Sequence, residues 1–165
     1  MNVIKISPVD IANGPGCRVV VWVAGCHHNC KGCHNPDTHD FNQGTNIEYK
    51  LGEIVYRLEP DYIEGLTISG GDPMAPENID GTLNLCKIIR WLFGNTKNIW
   101  VYTGYKYEDL NHMDFDLIDV LVDGPFIENE KDISLLFRGS KNQRLIDVKD
   151  TLKSNQIKLV KEDTL

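Results

Sequence analysis

The chain has 165 residues, 41% of them hydrophobic and 25% charged, a composition typical of a globular protein with a sizeable core. We therefore expect a single domain over residues 1–165. The net charge of −7 argues against a general nucleic-acid-binding surface. No apolar run approaches the length of a membrane span, and the N-terminal segment has no signal-peptide pattern. We therefore expect a cytoplasmic protein without a membrane partner.

The first predicted element is a strand over residues 18–23, whose run of valines indicates burial on both faces. Directly after it come Cys26, Cys30 and Cys33, with the spacing C-x3-C-x2-C. A 4Fe-4S cluster needs a ligand on each iron, and cysteine thiolate is its usual protein ligand. Three thiolates on one short loop would leave one iron open to a small molecule.

Two other interpretations of these cysteines are open. Structural zinc takes four ligands, often three cysteines and one histidine. Four histidines are near enough to be considered: His27, His28, His34 and His39. Zinc modules, however, usually add a second, distant ligand pair, which this sequence lacks. A disulfide framework is disfavoured because the chain has five cysteines, an odd number. The spacing favours an iron–sulfur cluster over both alternatives.

Strands and helices then alternate along the chain. A capping box at residues 45–48 predicts a helix over 47–58. Residues 62–69 form a strand-like run, and an apolar stripe after Pro76 predicts a second helix, with Gly94 as its C-terminal stop. Three further strands are predicted over residues 99–103, 118–122 and 157–160.

Alternating strands and helices predict an α/β fold with a parallel sheet. A complete eight-unit barrel usually needs about 250 residues, so this chain is too short to close one. We therefore expect an open, partial (β/α) barrel. The chemistry of such folds lies at the carboxyl ends of the strands, which is where the cysteine loop is predicted.

A second motif follows the next predicted strand. The residues are Ser69-Gly70-Gly71-Asp72-Pro73. Paired glycines allow a ligand to approach the backbone closely, although the same pattern also occurs in ordinary tight turns. Its position at a neighbouring strand end favours a binding site shared with the cysteine loop.

Together these motifs resemble the radical S-adenosylmethionine (radical SAM) enzymes of the glycyl-radical activase group. The segments Val122–Phe126 and Phe137–Arg144 are similar to those of the family that activates anaerobic ribonucleoside-triphosphate reductase. The resemblance extends from about Ile11 to Arg144. It implies an abbreviated barrel of the radical SAM type.

The resemblance also implies the cofactors and the residues that bind them. Cys26, Cys30 and Cys33 would hold the 4Fe-4S cluster, and S-adenosylmethionine would bind its open iron. The backbone of Gly32, Cys33 and His34 would lie against the adenine. The methionine end would contact the second motif, that is Ser69, Gly70, Gly71 and Asp72. Reductive cleavage of S-adenosylmethionine would give a radical that takes hydrogen from a glycine of the reductase.

The implied partners are the glycyl-radical subunit of the anaerobic reductase and a flavodoxin or ferredoxin as electron donor. The candidate contacts with the reductase are Asp123, Arg138, Lys141 and Arg144. For Asp123 and Arg138, a turn and a salt bridge are an equally good interpretation. Cys17 and Cys86 match no ligand spacing and are expected to be structural.

Two other functions fit the sequence less well. One is a small-molecule radical SAM enzyme similar to 7-carboxy-7-deazaguanine synthase. The other is a non-catalytic module that binds zinc or an iron–sulfur cluster. The segments Val122–Phe126 and Phe137–Arg144 favour the activase over the first, and a metal analysis would decide against the second.

Overall fold

The computed structural model describes residues 1–111, 113–161 and 163. The strands are β1 (Asn2–Asp10), β2 (Cys17–Val23), β3 (Thr45–Asn46), β4 (Ile63–Gly70), β5 (Asn98–Tyr102), β6 (Val120–Asp123) and β7 (Arg144–Asp147). The α-helices are α1 (Leu51–Leu58), α2 (Ile79–Phe93) and α3 (Val148–Ser154). None of the described helices is long and apolar enough to cross a membrane.

The seven strands form one mixed sheet in the order β3-β1-β2-β4-β5-β6-β7. The four central strands β2, β4, β5 and β6 are parallel. Antiparallel strands flank them, with β1 and β3 on one side and β7 on the other. The α/β class and the open sheet are confirmed, because the order ends at β3 and β7 without closing.

The two faces of the sheet bury different side chains, since successive residues of a strand point to opposite faces. Val19, Val21 and Val23 of β2 pack into the larger core beneath the helices, with Ile54 of α1 and Ile89 of α2. The opposite face carries a smaller cluster: Trp100, Val120, Val122 and Leu145, with Tyr102, Phe137 and Val160 packed against it.

Arg18 is fully buried on this second face. Its guanidinium donates to the Thr67 hydroxyl at 2.7 Å, the Asn98 side-chain oxygen at 2.6 Å and the Leu66 carbonyl at 2.8 Å. Desolvation lowers the pKa of Arg18 to about 10. The side chain therefore ties the start of β2 to β4 and β5 through neutral acceptors.

Several predicted elements differ from the structure. The first predicted helix begins at Leu51, after a 3-10 turn over Ile47–Tyr49 that the Asn46 side chain caps. The strand predicted over residues 157–160 is reduced to a single antiparallel bridge between Leu159 and Ile146. Two backbone hydrogen bonds flank it, from Asp147 N–H to the Lys158 carbonyl and from Val160 N–H to the Leu145 carbonyl, both at 2.9 Å. Between β5 and β6, where no helix was predicted, the chain forms short 3-10 turns.

The carboxyl ends of the parallel strands meet at one edge of the sheet, as parallel topology requires. Gly71 N–H donates to the Val23 carbonyl at 2.8 Å, and Asp72 N–H donates to the Gly25 carbonyl at 2.7 Å. These bonds join the loop after β4 to the loop after β2. The two motifs predicted to share a site are therefore in direct contact.

Candidate metal centre and cofactor cleft

The cysteine loop leaves the end of β2 and is closed at its root by backbone hydrogen bonds. Gly25 N–H donates to the Thr38 carbonyl at 2.7 Å, and Cys26 N–H to the His39 carbonyl at 3.2 Å. Gly25 has a φ of +96°, and a β-carbon there would overlap the Phe41 ring. The loop therefore turns sharply at Gly25, which only glycine allows without strain.

The three cysteines of this loop are free and half-buried: Cys26, Cys30 and Cys33. Burial raises the pKa of the Cys26 thiol above its ordinary value, and the charge of Asp72 acts in the same direction. A bare thiolate is therefore disfavoured, whereas a metal bound there would stabilise it. Asn35 N–H donates to Cys33 Sγ at 3.3 Å, a contact of the kind that tunes iron–sulfur ligands.

No group of three or more His, Cys, Asp or Glu side chains in the described part of the chain forms a ready-made site for a metal ion. The three thiols instead fit an iron–sulfur cluster by their chemistry. Soft thiolates are the usual protein ligands of such clusters.

The three cysteines open into a cleft at the carboxyl ends of β2, β4, β5 and β6. Of the residues predicted to bind a cofactor, the cleft is lined by Cys33, His34, Ser69, Gly70, Gly71 and Asp72, and not by Gly32. Sequence reasoning did not assign the other lining residues: Asn13, His28, Asn35, Tyr102, Thr103, Gly104, Gly124, Phe126, Gly139 and Gln143. The position of Thr103-Gly104 at a predicted strand end was the available signal.

The backbone at the root of the cysteine loop packs closely against Gly70 and Gly71, so these glycines are needed for the fold as well as for any ligand. Gly70 has a φ of +107°, and a β-carbon there would lie 2.6 Å from the Val23 nitrogen and oxygen. A β-carbon on Gly71 would lie 2.3 Å from the Gly25 carbonyl oxygen and 2.9 Å from that of Thr38. A larger residue at either position would therefore displace the root of the cysteine loop.

Asp123 and Arg144 form a partly buried ion pair next to Gly124, a residue that lines the cleft. Asp123 is fully buried, and Arg144 Nε donates to its Oδ1 at 2.9 Å while Nη2 contacts Oδ2. The Tyr107 N–H also donates to Asp123 Oδ2 at 2.8 Å. Arg144 in addition donates to both carboxylate oxygens of Glu108, at 3.0 and 2.7 Å. These bonds lower the pKa of Glu108 to about 2.

The segment between Asp123 and Arg144 is fastened by its own side chains. Asn142 Nδ2 donates to the Pro125 carbonyl at 2.7 Å, and Gln143 Nε2 donates to the Gly124 carbonyl at 3.0 Å. The Gln143 side-chain oxygen accepts from the Gly139 N–H at 2.8 Å. These bonds hold Phe126 where its ring packs beside His34, with 5.2 Å between the two ring centroids.

The four predicted partner contacts thus occupy different settings. Asp123 offers no exposed surface, and the donors of Arg144 are engaged within the chain. Arg138 is half-buried and lines a groove beside the cleft. Lys141 has a 66% exposed side chain, with Asp132 3.6 Å away. Lys141 is therefore the most accessible of the four.

Comparison with known proteins identifies the family. Residues 12–146 match the family described as a 4Fe-4S single cluster domain. The anaerobic ribonucleoside-triphosphate reductase-activating protein of Enterobacteria phage T4 is 42% identical over 147 residues, covering 88% of this chain and 93% of the relative. Those of Escherichia coli K12 and Haemophilus influenzae are 44% and 39% identical over 149 residues, each alignment covering 87% of this chain and 96% of the relative. The chain therefore belongs to the family of anaerobic ribonucleoside-triphosphate reductase-activating proteins.

Proposed function

We propose that this protein is a radical SAM activase that generates the glycyl radical of an anaerobic ribonucleoside-triphosphate reductase. The observation that carries the proposal is the single cleft that Cys26, Cys30 and Cys33 share with the Gly70-Gly71 loop. The family supports a 4Fe-4S cluster at these cysteines, and the names of the relatives support the reductase as the target.

The residues of the cleft divide the work of binding. Cys26, Cys30 and Cys33 would hold the cluster through three irons. Ser69, Gly70 and Gly71 would receive the methionine end of S-adenosylmethionine, and His34, backed by the Phe126 ring, would lie beside the adenine. The bound cluster would supply the electron that cleaves S-adenosylmethionine to methionine and a 5′-deoxyadenosyl radical, which takes a hydrogen atom from the target glycine.

The remaining task of the chain is to exclude water and stray hydrogen donors. We propose that the fold is an abbreviated radical SAM barrel and that the reductase covers its open side. The electron donor would be a flavodoxin or a ferredoxin, in the cytoplasm. None of these steps requires an acid or base, so the histidines of the cysteine loop are free for structural roles.

Anaerobic reconstitution tests the proposal. We expect about four irons per chain, as the cluster type requires. Cys30→Ala should lose the cluster, while Cys86→Ala, at a fully buried cysteine of α2, should keep it. With S-adenosylmethionine, a reductant and the reductase, electron paramagnetic resonance should show a glycyl radical.

Two results would contradict the proposal. Full cluster loading in Cys30→Ala would remove the ligand assignment. Cleavage of S-adenosylmethionine without any radical on the reductase would instead favour a small-molecule radical SAM enzyme.

A further inference from the structure

The carboxylate of Asp72 is fully buried where three loops of the cleft meet. Its Oδ1 accepts from the Met74 N–H at 2.9 Å and from the Thr103 hydroxyl at 2.8 Å. Its Oδ2 accepts from the Gly104 N–H at 2.9 Å, and His28 Nε2 lies 2.8 Å from the same oxygen. His28 Nε2 is therefore within ion-pair distance of Asp72 Oδ2, but the two atoms are not aligned for a hydrogen bond.

Protein groups surround the carboxylate on all sides. Of its roughly four acceptor positions, three receive hydrogen bonds from Met74, Thr103 and Gly104, and the His28 ring lies against the fourth. Met74 belongs to the loop after β4, Thr103 and Gly104 to the loop after β5, and His28 to the cysteine loop. Because the side chain is fully buried and His28 blocks the remaining position, an ammonium group of a ligand has no access to this carboxylate.

The His28 ring is held from a second direction. The Tyr105 ring packs against it edge-on, with 4.5 Å between the centroids. A β-carbon on Gly104 would lie 2.4 Å from His28 Cδ2, so the loop after β5 presses directly on the ring. His28 lies between Cys26 and Cys30, and fixing its ring limits the movement of both.

We infer that Asp72 is a positioning residue that fastens the cysteine loop, through His28, to the loops after β4 and β5, and that its side chain does not bind S-adenosylmethionine. The resemblance had implied a cofactor contact for Asp72. The part of this inference that concerns S-adenosylmethionine rests on the proposed function, whereas the part that concerns the fastening of the loops does not. The side-chain contacts of Asp72 add to its backbone hydrogen bond, in which the Asp72 N–H donates to the Gly25 carbonyl at the root of the cysteine loop.

Asp72→Asn tests the inference because it changes one acceptor oxygen into a donor, which faces the backbone N–H of either Met74 or Gly104 whichever way the amide is oriented. Asp37→Asn is the matched control, since Asp37 is an exposed acid on the cysteine loop. Hydrogen exchange of the apo-protein should show amides 26–34 exchanging about tenfold faster or more in Asp72→Asn, and unchanged in the control. After reconstitution, Asp72→Asn should also lose iron to a chelator faster in the absence of S-adenosylmethionine.

Two further variants isolate the separate contacts. His28→Gln should accelerate exchange in residues 26–34 alone. Thr103→Val should accelerate exchange around residues 103–105, and Thr103→Ser, which keeps the hydroxyl, should restore the wild-type rate. These variants decide the question even if Asp72→Asn does not fold.

A different pattern would overturn the inference. If Asp72→Asn showed wild-type exchange and iron loss but bound S-adenosylmethionine more weakly by calorimetry, Asp72 would be a cofactor ligand. Wild-type exchange in His28→Gln and Thr103→Val would equally refute the fastening. If the wild-type protein took up no iron, the proposed function would fail, and the exchange measurements would still decide the role of Asp72.

Discussion

The ion pair between Asp123 and Arg144 gives the sharpest test of how the cleft is built. Arg144→Met would remove the guanidinium donors from the fully buried Asp123 carboxylate, which would keep its hydrogen bond from the Tyr107 N–H. Removing one partner of a buried pair costs about 3–5 kcal/mol. The Arg144 side chain is 29% exposed, so we expect the lower end, about 3 kcal/mol.

Glu108→Gln is the matched control, because it removes the outer partner of the same guanidinium. The Glu108 side chain is 52% exposed, so we expect a loss of about 1 kcal/mol or less. Urea unfolding of the apo-proteins measures both variants, and a cycle with Asp123→Asn gives the coupling energy. We expect a coupling of about 2 kcal/mol between Asp123 and Arg144.

A different result would support the earlier prediction that Arg144 contacts the reductase. If Arg144→Met were as stable as Glu108→Gln, yet activation of the reductase were lost while S-adenosylmethionine was still cleaved, the guanidinium would serve the partner. Equal stability of both variants would show that the buried pair contributes little.

Three further predictions concern other parts of the chain. Arg18→Met should lower the free energy of unfolding by about 3 kcal/mol, since buried acceptors lose their donors, and urea unfolding would contradict this by showing no loss. The stability that Glu108 contributes should be present above pH 4.5, its ordinary pKa, and should be lost as the pH falls through its folded pKa of about 2. Unfolding of Glu108→Gln across this range should lack that part of the pH dependence, and an unchanged profile would refute it. Lys141→Glu should weaken activation of the reductase but not reductive cleavage of S-adenosylmethionine, whereas Lys153→Glu, whose lysine has an equally long 3.6 Å pair on α3, should affect neither. Equal effects of the two lysine variants on activation would exclude a docking role for Lys141.

The central strands were predictable because each is a short apolar run that ends in glycine or a polar residue. The strand predicted over residues 62–69 is Ile63–Gly70, and that over 99–103 is Asn98–Tyr102. Burial on both faces leaves little room for polar residues, so the pattern is strong. The cysteine loop and the Gly70-Gly71 loop follow such strands, which is why their meeting could be foreseen.

The flanking strands were not predicted. In β1 the exposure alternates irregularly and the pairing with β2 shifts register twice, so no clear period of two survives. The strand β7 and helix α3 were also missed. Asp147 caps α3 by accepting from the Asp150 N–H at 2.9 Å, a spacing that was visible in the sequence.

The part of the cleft that Thr103 and Gly104 line depends on contacts between distant residues, which sequence patterns do not predict. Asp72 and Thr103 are 31 positions apart, and their bond exists only because β4 and β5 are neighbours in the sheet. For the same reason the pairing of Asp123 with Arg144, 21 positions apart, was not predicted. Side-chain pairing between strand ends requires the register, which the sequence did not supply.

The antiparallel strand β7 explains how so short a chain can build this cleft and why we expect a protein to complete it. The pairing of β7 with β6 ends the parallel series, and beyond β7 the described residues add only the short bridge at Leu159. The segment between these strands instead folds back over the cleft, where Gly124, Phe126 and Gly139 line it. Its outer side carries the 94% exposed Ile133 and the accessible Lys141. The radical intermediate of the proposed function would need a closed cleft, so a chain that leaves this rim open is suited to a substrate that brings its own surface, as a protein does.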